Sequence, residues 1–320
     1  MPVPISEAVA TTIRRHSREI SDNVSANIPV LERLRRKGRS TRIDGGTEIL
    51  EELDYAENES FAWYAGFERL QVVLSEVLTG AIFSWKQAGV AVAISGLLRM
   101  QNRGSERQVD AIAGKIRNAS RTMSNKMDEA LFSDGTGDNG KQIGGLQLLL
   151  STSPTSGMIG GIDRATEEWW RNYVLDETAT KANIVSLCQK VQRNTTRGSD
   201  RVDLIAMDDH LYGMLQDGLQ AQQRFITENP DNDMTRAGFE NMRIGTADAV
   251  LAGGVGGNCP ASHAYFLNTD FLALRSHRNR DMVPEEAGRP IDIDGDVSWL
   301  YWMGALCGSN LRLQGVLDGR

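Results

Sequence analysis

Cysteine is scarce in this chain. Its 320 residues hold only Cys188, Cys259 and Cys307, far apart and with no C-x-x-C pair. That spacing excludes a disulfide framework or a structural zinc site and points to folding in a reducing compartment, with all three thiols read as small buried hydrophobes. Histidine is equally sparse: His16, His210, His263 and His277 show no H-x-x-x-H spacing, and no G-x-S-x-G elbow is present. Gly253-Gly-Val-Gly-Gly257 is followed by no Lys-Ser/Thr and opens no helical pattern, so it reads as a loop and not as a phosphate cradle. Long apolar runs are missing too. The densest, residues 89–98, is about half of the ~20 residues needed to cross a bilayer. Arg14, Arg15, His16 and Arg18 interrupt the N-terminal apolar residues before a secretory h-region develops. Internal repeats and low-complexity tracts are absent as well. No cofactor, metal ion or membrane is therefore expected.

Apolar residues make up 40% and charged residues 24%, ordinary values for a globular protein with ample material for a core. The net charge of −7 is unevenly spread: residues 1–43 carry nine Lys/Arg against four acids, leaving −12 on the rest. Arg33, Arg35, Arg36 and Lys37 concentrate the basic charge. A solvated helix face explains this simply; an arm touching nucleic acid or an acidic partner is the alternative.

Helical spacing of Ile5, Ala8, Val9, Ile13, Ile20, Val24 and Ile28 predicts an amphipathic N-terminal helix, and Pro29 opens a second turn with Leu31 and Leu34. From residue 60 to 96 the period changes to two. Leu70, Val72, Leu74 and later Val90, Val92, Ile94 alternate with small or polar neighbours, around Phe83, Trp85 and Lys86. This predicts a long β-hairpin with its tip near residues 75–82. A lone hairpin is marginal, and each buried Val, Leu or Phe contributes about 1.5–3 kcal/mol only under a cover. The hairpin must therefore lie on its own body or on a neighbouring molecule.

Ser105-Glu-Arg-Gln108 fits a capping box, and Val109, Ile112, Ile116, Met123 and Met127 repeat at helical spacing up to Asp134-Gly135. The stripe drifts instead of holding heptads, which predicts a helix of roughly 40 Å laid along a sheet. Beyond it, helices are expected over 181–192 and from Asp208 to Leu215. Strands are expected over 201–207, 242–251, 264–267, 271–275, 297–306 and 311–317. The fold class is α+β.

Two acidic groupings invite a chemical reading. Asp208-Asp209-His210 follows an apolar strand and opens a helix, which capping explains without catalysis. Asp292-Ile-Asp-Gly-Asp296 lacks the spacing and bidentate glutamate of a calcium loop and reads as an acidic turn. No convincing active site emerges, and the chain is not expected to be an enzyme.

An ordered set of segments resembles the major capsid proteins of tailed bacteriophages with the Hong Kong 97-type fold. It comprises Trp63-Tyr-Ala-Gly66, Phe83-Ser-Trp-Lys-Gln87, Ile94-Ser-Gly96, Gln101-Asn-Arg-Gly104, Phe132-Ser-Asp-Gly-Thr-Gly137, Gly144-Gly-Leu146, and Gly160-Gly-Ile-Asp-Arg164 through Trp169/Trp170. The resemblance spans the whole chain. It implies an N-terminal arm over 1–59 and an extended β-hairpin loop over 60–96. It further implies a peripheral domain over 97–145 and 262–320 with a long spine helix, and an axial domain over 146–261. Leu70, Val72, Leu74, Phe83, Trp85 and Lys86 would then contact a neighbouring subunit. Ile112, Ile116, Met123 and Met127 would pack the spine helix, and Arg33, Arg35, Arg36 and Lys37 would form an interior basic arm.

The implied activity is assembly of pentamers and hexamers into an icosahedral shell around double-stranded DNA, bound non-specifically, in the host bacterial cytoplasm. A separate scaffolding protein and a portal protein are the implied partners, and procapsid maturation would re-seat the arm and hairpin. Lys–Asn crosslinking through Lys86 and Asn310 is not expected. An encapsulin-type compartment shell shares the fold and differs in cargo, and an α+β enzyme using Asp208, Asp209 and His210 is the alternative from another class.

Overall fold

The computed structural model describes residues 28–70, 72, 74, 76–96, 105–221, 241–253, 257–284 and 294–320; the side chains of residues 105–113, 220, 221 and 241 are outside this description. The expected helix over residues 5–27, the Gln101-Asn-Arg-Gly104 segment, the centre of the 253–257 loop and the start of the acidic turn at Asp292 fall outside the described residues.

Pro29 at the first helical position opens α1 (Pro29–Arg36), whose Val30, Leu31 and Leu34 are buried. Then come β1 (Ser40–Ile43), β2 (Ile49–Asp54), β3 (Leu78–Phe83) and β4 (Lys86–Ser95). The long helix α2 (Ser105–Leu131) stops at Ser133, whose hydroxyl donates to the Ala130 carbonyl. A helical turn α3 (Leu146–Leu149) and a small hairpin of β5 (Met158–Ile159) and β6 (Ile162–Asp163) follow. The chain continues through β7 (Tyr173–Asp176), α4 (Ile184–Asn194), β8 (Leu204–Met207), α5 (Asp209–Ala221), β9 (Asn241–Ile244) and β10 (Ala247–Leu251). It ends with β11 (His263–Leu267), β12 (Leu272–Pro284), β13 (Gly295–Gly308) and β14 (Gly315–Asp318).

Two mixed sheets organise these elements. The first has the order β1-β12-β13-β4; the second has the order β7-β14-β11-β8-β10-β9. On β4, Val92 and Ile94 are buried while Gln87, Gly89, Ala91, Ala93 and Ser95 are exposed, so one face of the first sheet is covered. The cover is α2, which packs against β4 and contributes Ile116, Met123 and Met127 to the core shared with Trp302 and Leu306. The second sheet has a core of its own, with α4 and α5 supplying Leu187, Val191, Leu211 and Leu215 against Ile205, Ala249 and Phe266. The α+β class, the long helix and the run of C-terminal strands follow the expectation; the strand expected over 242–251 is the β9–β10 hairpin.

The hairpin expected over 60–96 is different in kind. Leu70, Val72 and Leu74 belong to no strand, and the run containing Val90, Val92 and Ile94 is β4, paired antiparallel with β13 from Gly295↔Ser95 to Gly304↔Lys86. The paired legs are β2 and β3, in register from Ile49↔Phe83 to Asp54↔Leu78, and residues 55–77 form the long excursion between them. Alternation assigns a strand's two faces but does not name its partner, so two period-two runs close in sequence were joined wrongly.

Several segments that carried the family resemblance are points of close backbone approach. A Cβ on Gly145 would collide with the Ala130 and Leu131 carbonyls at the end of α2, and one on Gly160 (φ +61°) would lie 2.7 Å from Ala81 Cβ. The Gly160 carbonyl accepts from Ile82 N–H at 2.9 Å, and Trp170 Nε1, wholly buried, donates to the Ile159 carbonyl at 3.0 Å. The small hairpin is thereby tied to β3 and to the 168–170 turn. Since Met123 is 1% exposed at the centre of the α2 face, Met123→Ala should lower the unfolding free energy by about 2–5 kcal/mol. A shift of the denaturant midpoint at unchanged slope is the measurement.

Candidate functional site

The excursion between β2 and β3 concentrates uncovered apolar surface. Among the described residues, all but four of the exposed large hydrophobic side chains lie between Leu50 and Ile82, among them Trp63 at 91%, Val72 at 93% and Leu74 at 98% exposure. Phe61, Tyr64, Phe67 and Leu70 are exposed as well. So many exposed large apolar side chains within one segment point to an interaction site.

Its root is firmly held. In β2 the inward residues Ile49, Glu51 and Leu53 alternate with outward ones. Glu51 is buried, and Arg275 of β12 clamps it, with Nη2 donating to Oε2 at 2.9 Å and Nε and Nη1 reaching Glu51 Oε1 and Thr41 Oγ1. The Glu51 hydrogen bonds raise the Arg275 pKa despite its partial burial. One guanidinium therefore joins β1, β2 and β12 under the excursion.

Of the six residues expected to reach a neighbour, Leu70, Val72 and Leu74 are exposed on the excursion, whereas Phe83, Trp85 and Lys86 are engaged at home. Trp85 Nε1 donates to the Gly46 carbonyl at 2.9 Å, its ring meets the His277 ring edge-on at 5.8 Å, and it packs on the small cluster of Ile49, Ala305 and Cys307. Phe83 packs on that cluster and the main core, and Lys86 Nζ donates to the Gly140 carbonyl. These three pack within the subunit at the junction of β3 and β4, and β4 is the edge strand of the first sheet, paired with β13, and not a free hairpin leg. Ile116, Met123 and Met127 line the buried face of α2, and the side chain of Ile112 lies outside the described residues.

The basic cluster on α1 also turns inward. Arg33 Nε binds Asp203 at 2.8 Å and its Nη1 lies 3.7 Å from Asp248; Lys37 Nζ binds Asp270 at 2.8 Å and Asp203 at 3.3 Å. Arg35 and Arg36 grip Glu32 at 3.0 and 2.7 Å. Burial works to raise the Glu32 carboxyl, but hydrogen bonds from Arg35 and Arg36 outweigh it and hold the group below its ordinary range. The four cations expected to form a basic arm thus pair, within the subunit, with acids of the same chain. Asp203 further accepts from Thr269 N–H and Oγ1 at 2.7 Å each, so α1 is tied to the segments before β8 and β12 at once.

The three acid/base candidates do not converge. Asp208 Oδ2 accepts from Ser262 N–H at 2.9 Å, while Asp209 and His210 are exposed on the first turn of α5. Among the described residues no group of three or more His, Cys, Asp or Glu is placed to hold a metal ion, and no described helix is long and apolar enough to cross a membrane. All three cysteines are free and buried; burial pushes the Cys188 thiol up to about 12 and the Cys259 and Cys307 thiols higher still.

Two grooves flank the root of the excursion, and neither was legible as a linear motif. One, of about 330 Å³, is rimmed by the exposed apolar side chains Ile82, Leu148 and Met158. The other, of about 350 Å³, has Trp169 stacked on Tyr55 at 5.1 Å beside Arg197 and Arg312.

No protein-family model and no curated protein matches this sequence. Its structure does match solved capsids. The chain superposes on a capsid chain of cyanophage A-1(L) with a TM-score of 0.62 at 16% identity, covering 88% of this chain and 90% of that one. The capsid of the myovirus phage XM1 gives 0.54 at 13% identity, covering 90% and 92%. The procapsid of satellite phage P4 gives 0.52 at 15% identity, covering 100% and 91%. The fold is therefore that of tailed-phage capsid proteins, the Hong Kong 97-type fold.

Trp85→Ala should lower the stability of the isolated subunit by about 2 kcal/mol, from lost packing and one lost hydrogen bond. Thermal melting of the unassembled protein is the measurement; an unchanged melting temperature would return Trp85 to the outer surface.

Proposed function

We propose that this chain is the major capsid protein of a tailed bacteriophage, assembling into pentamers and hexamers of an icosahedral shell that encloses double-stranded DNA. The observation that carries the reading is an apolar excursion, held out on a clamped root, that its own subunit leaves uncovered. Full burial of each of Phe61, Trp63, Phe67, Val72 and Leu74 would contribute about 1.5–3 kcal/mol, less the cost of ordering the segment. In a shell that gain recurs at every subunit.

In this reading residues 97–145 and 262–320 form a peripheral domain with α2 as its spine, residues 146–261 an axial domain, and residues 1–59 an arm. The extended loop is redrawn on the β2–β3 legs, with Leu70, Val72 and Leu74 meeting the adjacent subunit. A separate scaffolding protein, a portal protein and non-specifically held DNA are the partners, and assembly takes place in the host bacterial cytoplasm before the chain becomes part of the virion. Maturation would move subunits as rigid bodies while the loop is re-seated.

Purified protein, alone or coexpressed with a scaffold, should sediment as capsomers or shells and show closed particles by electron microscopy. Strictly monomeric behaviour at every concentration in both settings would end the reading, and a packaged enzyme in place of nucleic acid would redirect it to a compartment shell. The combined variant Leu70→Ser, Val72→Ser, Leu74→Ser should keep the parent's melting temperature within about 1 kcal/mol of stability, as expected of exposed positions, and yet form no shells. The two variants divide the work: Trp85→Ala weakens the subunit, and the serine variant weakens only its association.

A further inference from the structure

The groove beside the excursion's root carries charge without a partner. Arg197 and Arg312 are exposed on its wall, and neither forms a side-chain hydrogen bond or ion pair among the described residues. Glu168 on the same wall is already held by Arg171 at 3.1 Å. Asp54 and Glu168 balance the two arginines in formal charge, but with Glu168 held by Arg171 the guanidiniums of Arg197 and Arg312 remain unpartnered among the described residues, over an aromatic floor of Trp169 on Tyr55.

The excursion carries the complement. Segment 55–77 holds Glu57, Glu59, Glu68 and Glu76 against the single cation Arg69. Glu57 and Glu59 are exposed and without a partner among the described residues, and they precede Phe61 and Trp63, packed edge-to-face at 5.5 Å. An acidic, aromatic stretch without cover and an aromatic groove with two unpartnered guanidiniums thus sit on one chain, and any homo-oligomer contains them in equal number.

Resting on the capsid reading, we propose that the groove of Arg197 and Arg312 receives residues 57–63 of a second copy of this chain, with Glu57 and Glu59 paired to the two guanidiniums and Phe61 or Trp63 laid on Trp169. Tyr55 lies in the groove at the foot of its own excursion, while Phe61, Trp63 and Tyr64 of that excursion are exposed and outside it. The contact therefore runs from the excursion of one copy to the root of the next. Such a head-to-tail contact closes into a ring when the rotation permits, and opposite charges at the two ends fix its register and reject a root-to-root approach.

Charge reversal tests the pairing. The groove variant Arg197→Glu, Arg312→Glu and the loop variant Glu57→Arg, Glu59→Arg should each melt like the parent and each raise the protein concentration needed for shells by about tenfold or more. The two sets combined in one chain should restore assembly to near the parent's concentration. Assembly of the groove variant at the parent's concentration would overturn the contact, and so would two defects that fail to compensate. Normal shells that no longer retain nucleic acid would assign the arginines to DNA and overturn it as well. If the reversed groove fails to fold, Arg197→Gln, Arg312→Gln must show the same assembly defect for the contact to stand. A parent that never oligomerises counts against the capsid reading itself, and a parent that assembles beside an unaffected groove variant counts against this contact alone.

Discussion

A clamp between Arg275 and Glu51 sets the terms for everything outside the core. It fixes β2 to the first sheet at a buried carboxylate, with Thr41 of β1 on the same guanidinium. A charge-assisted, two-pronged bond of this kind holds geometry as well as energy. The excursion that leaves from β2 is therefore presented in a defined direction, although its residues 61–70 are all exposed. An apolar segment on a loose root would collapse onto its own body or onto any neighbour. On a fixed root it addresses one place on the next molecule, which is what a closed shell needs from every subunit.

Modest contacts are enough under that constraint. Surface ion pairs contribute about 0–1 kcal/mol each, and apolar side chains a few kcal/mol before ordering costs. Neither would hold a single pair of subunits tightly, and both could reopen if a proposed shell changed form. The contacts that hold the half-buried Phe83, Trp85 and Lys86 within the subunit are consistent with this division. What must stay rigid is bonded within the chain, and what must find a partner is carried by exposed apolar side chains such as Val72 and Leu74.

The elements visible in the sequence were those whose signal is local. The helical spacing of Ile116, Met123 and Met127 and the stop near Asp134-Gly135 located α2 because periodicity and termination signals act within a few turns. The partner of β4 was invisible, because it is β13, some two hundred residues away, and alternation is the same whichever strand lies alongside. The partners of the α1 cations were invisible for a related reason: the sequence counts charges but does not say that Asp203, Asp248 and Asp270 fold opposite Arg33 and Lys37. Trp85 looked adhesive because Gly46 and His277, which occupy it, come from other segments. The glycine-rich segments were recognised, and their reason is packing: Gly145 and Gly160 admit a neighbouring backbone where a methyl group does not fit.

The inward-turned helix α1 also bears on how such a subunit can deform. It packs against both β8 and β12, one strand from each sheet. Arg33 and Lys37 meet on Asp203, which in turn accepts from Thr269 just before β12. Sliding one sheet past the other would strip partners from several half-buried charges together, and leaving one such charge unpaired costs about 3–5 kcal/mol. That exceeds the worth of any single surface contact between copies. Under the proposed capsid reading, a shell of such subunits would change shape where copies meet, while the two sheets and the helix that joins them travel as one body.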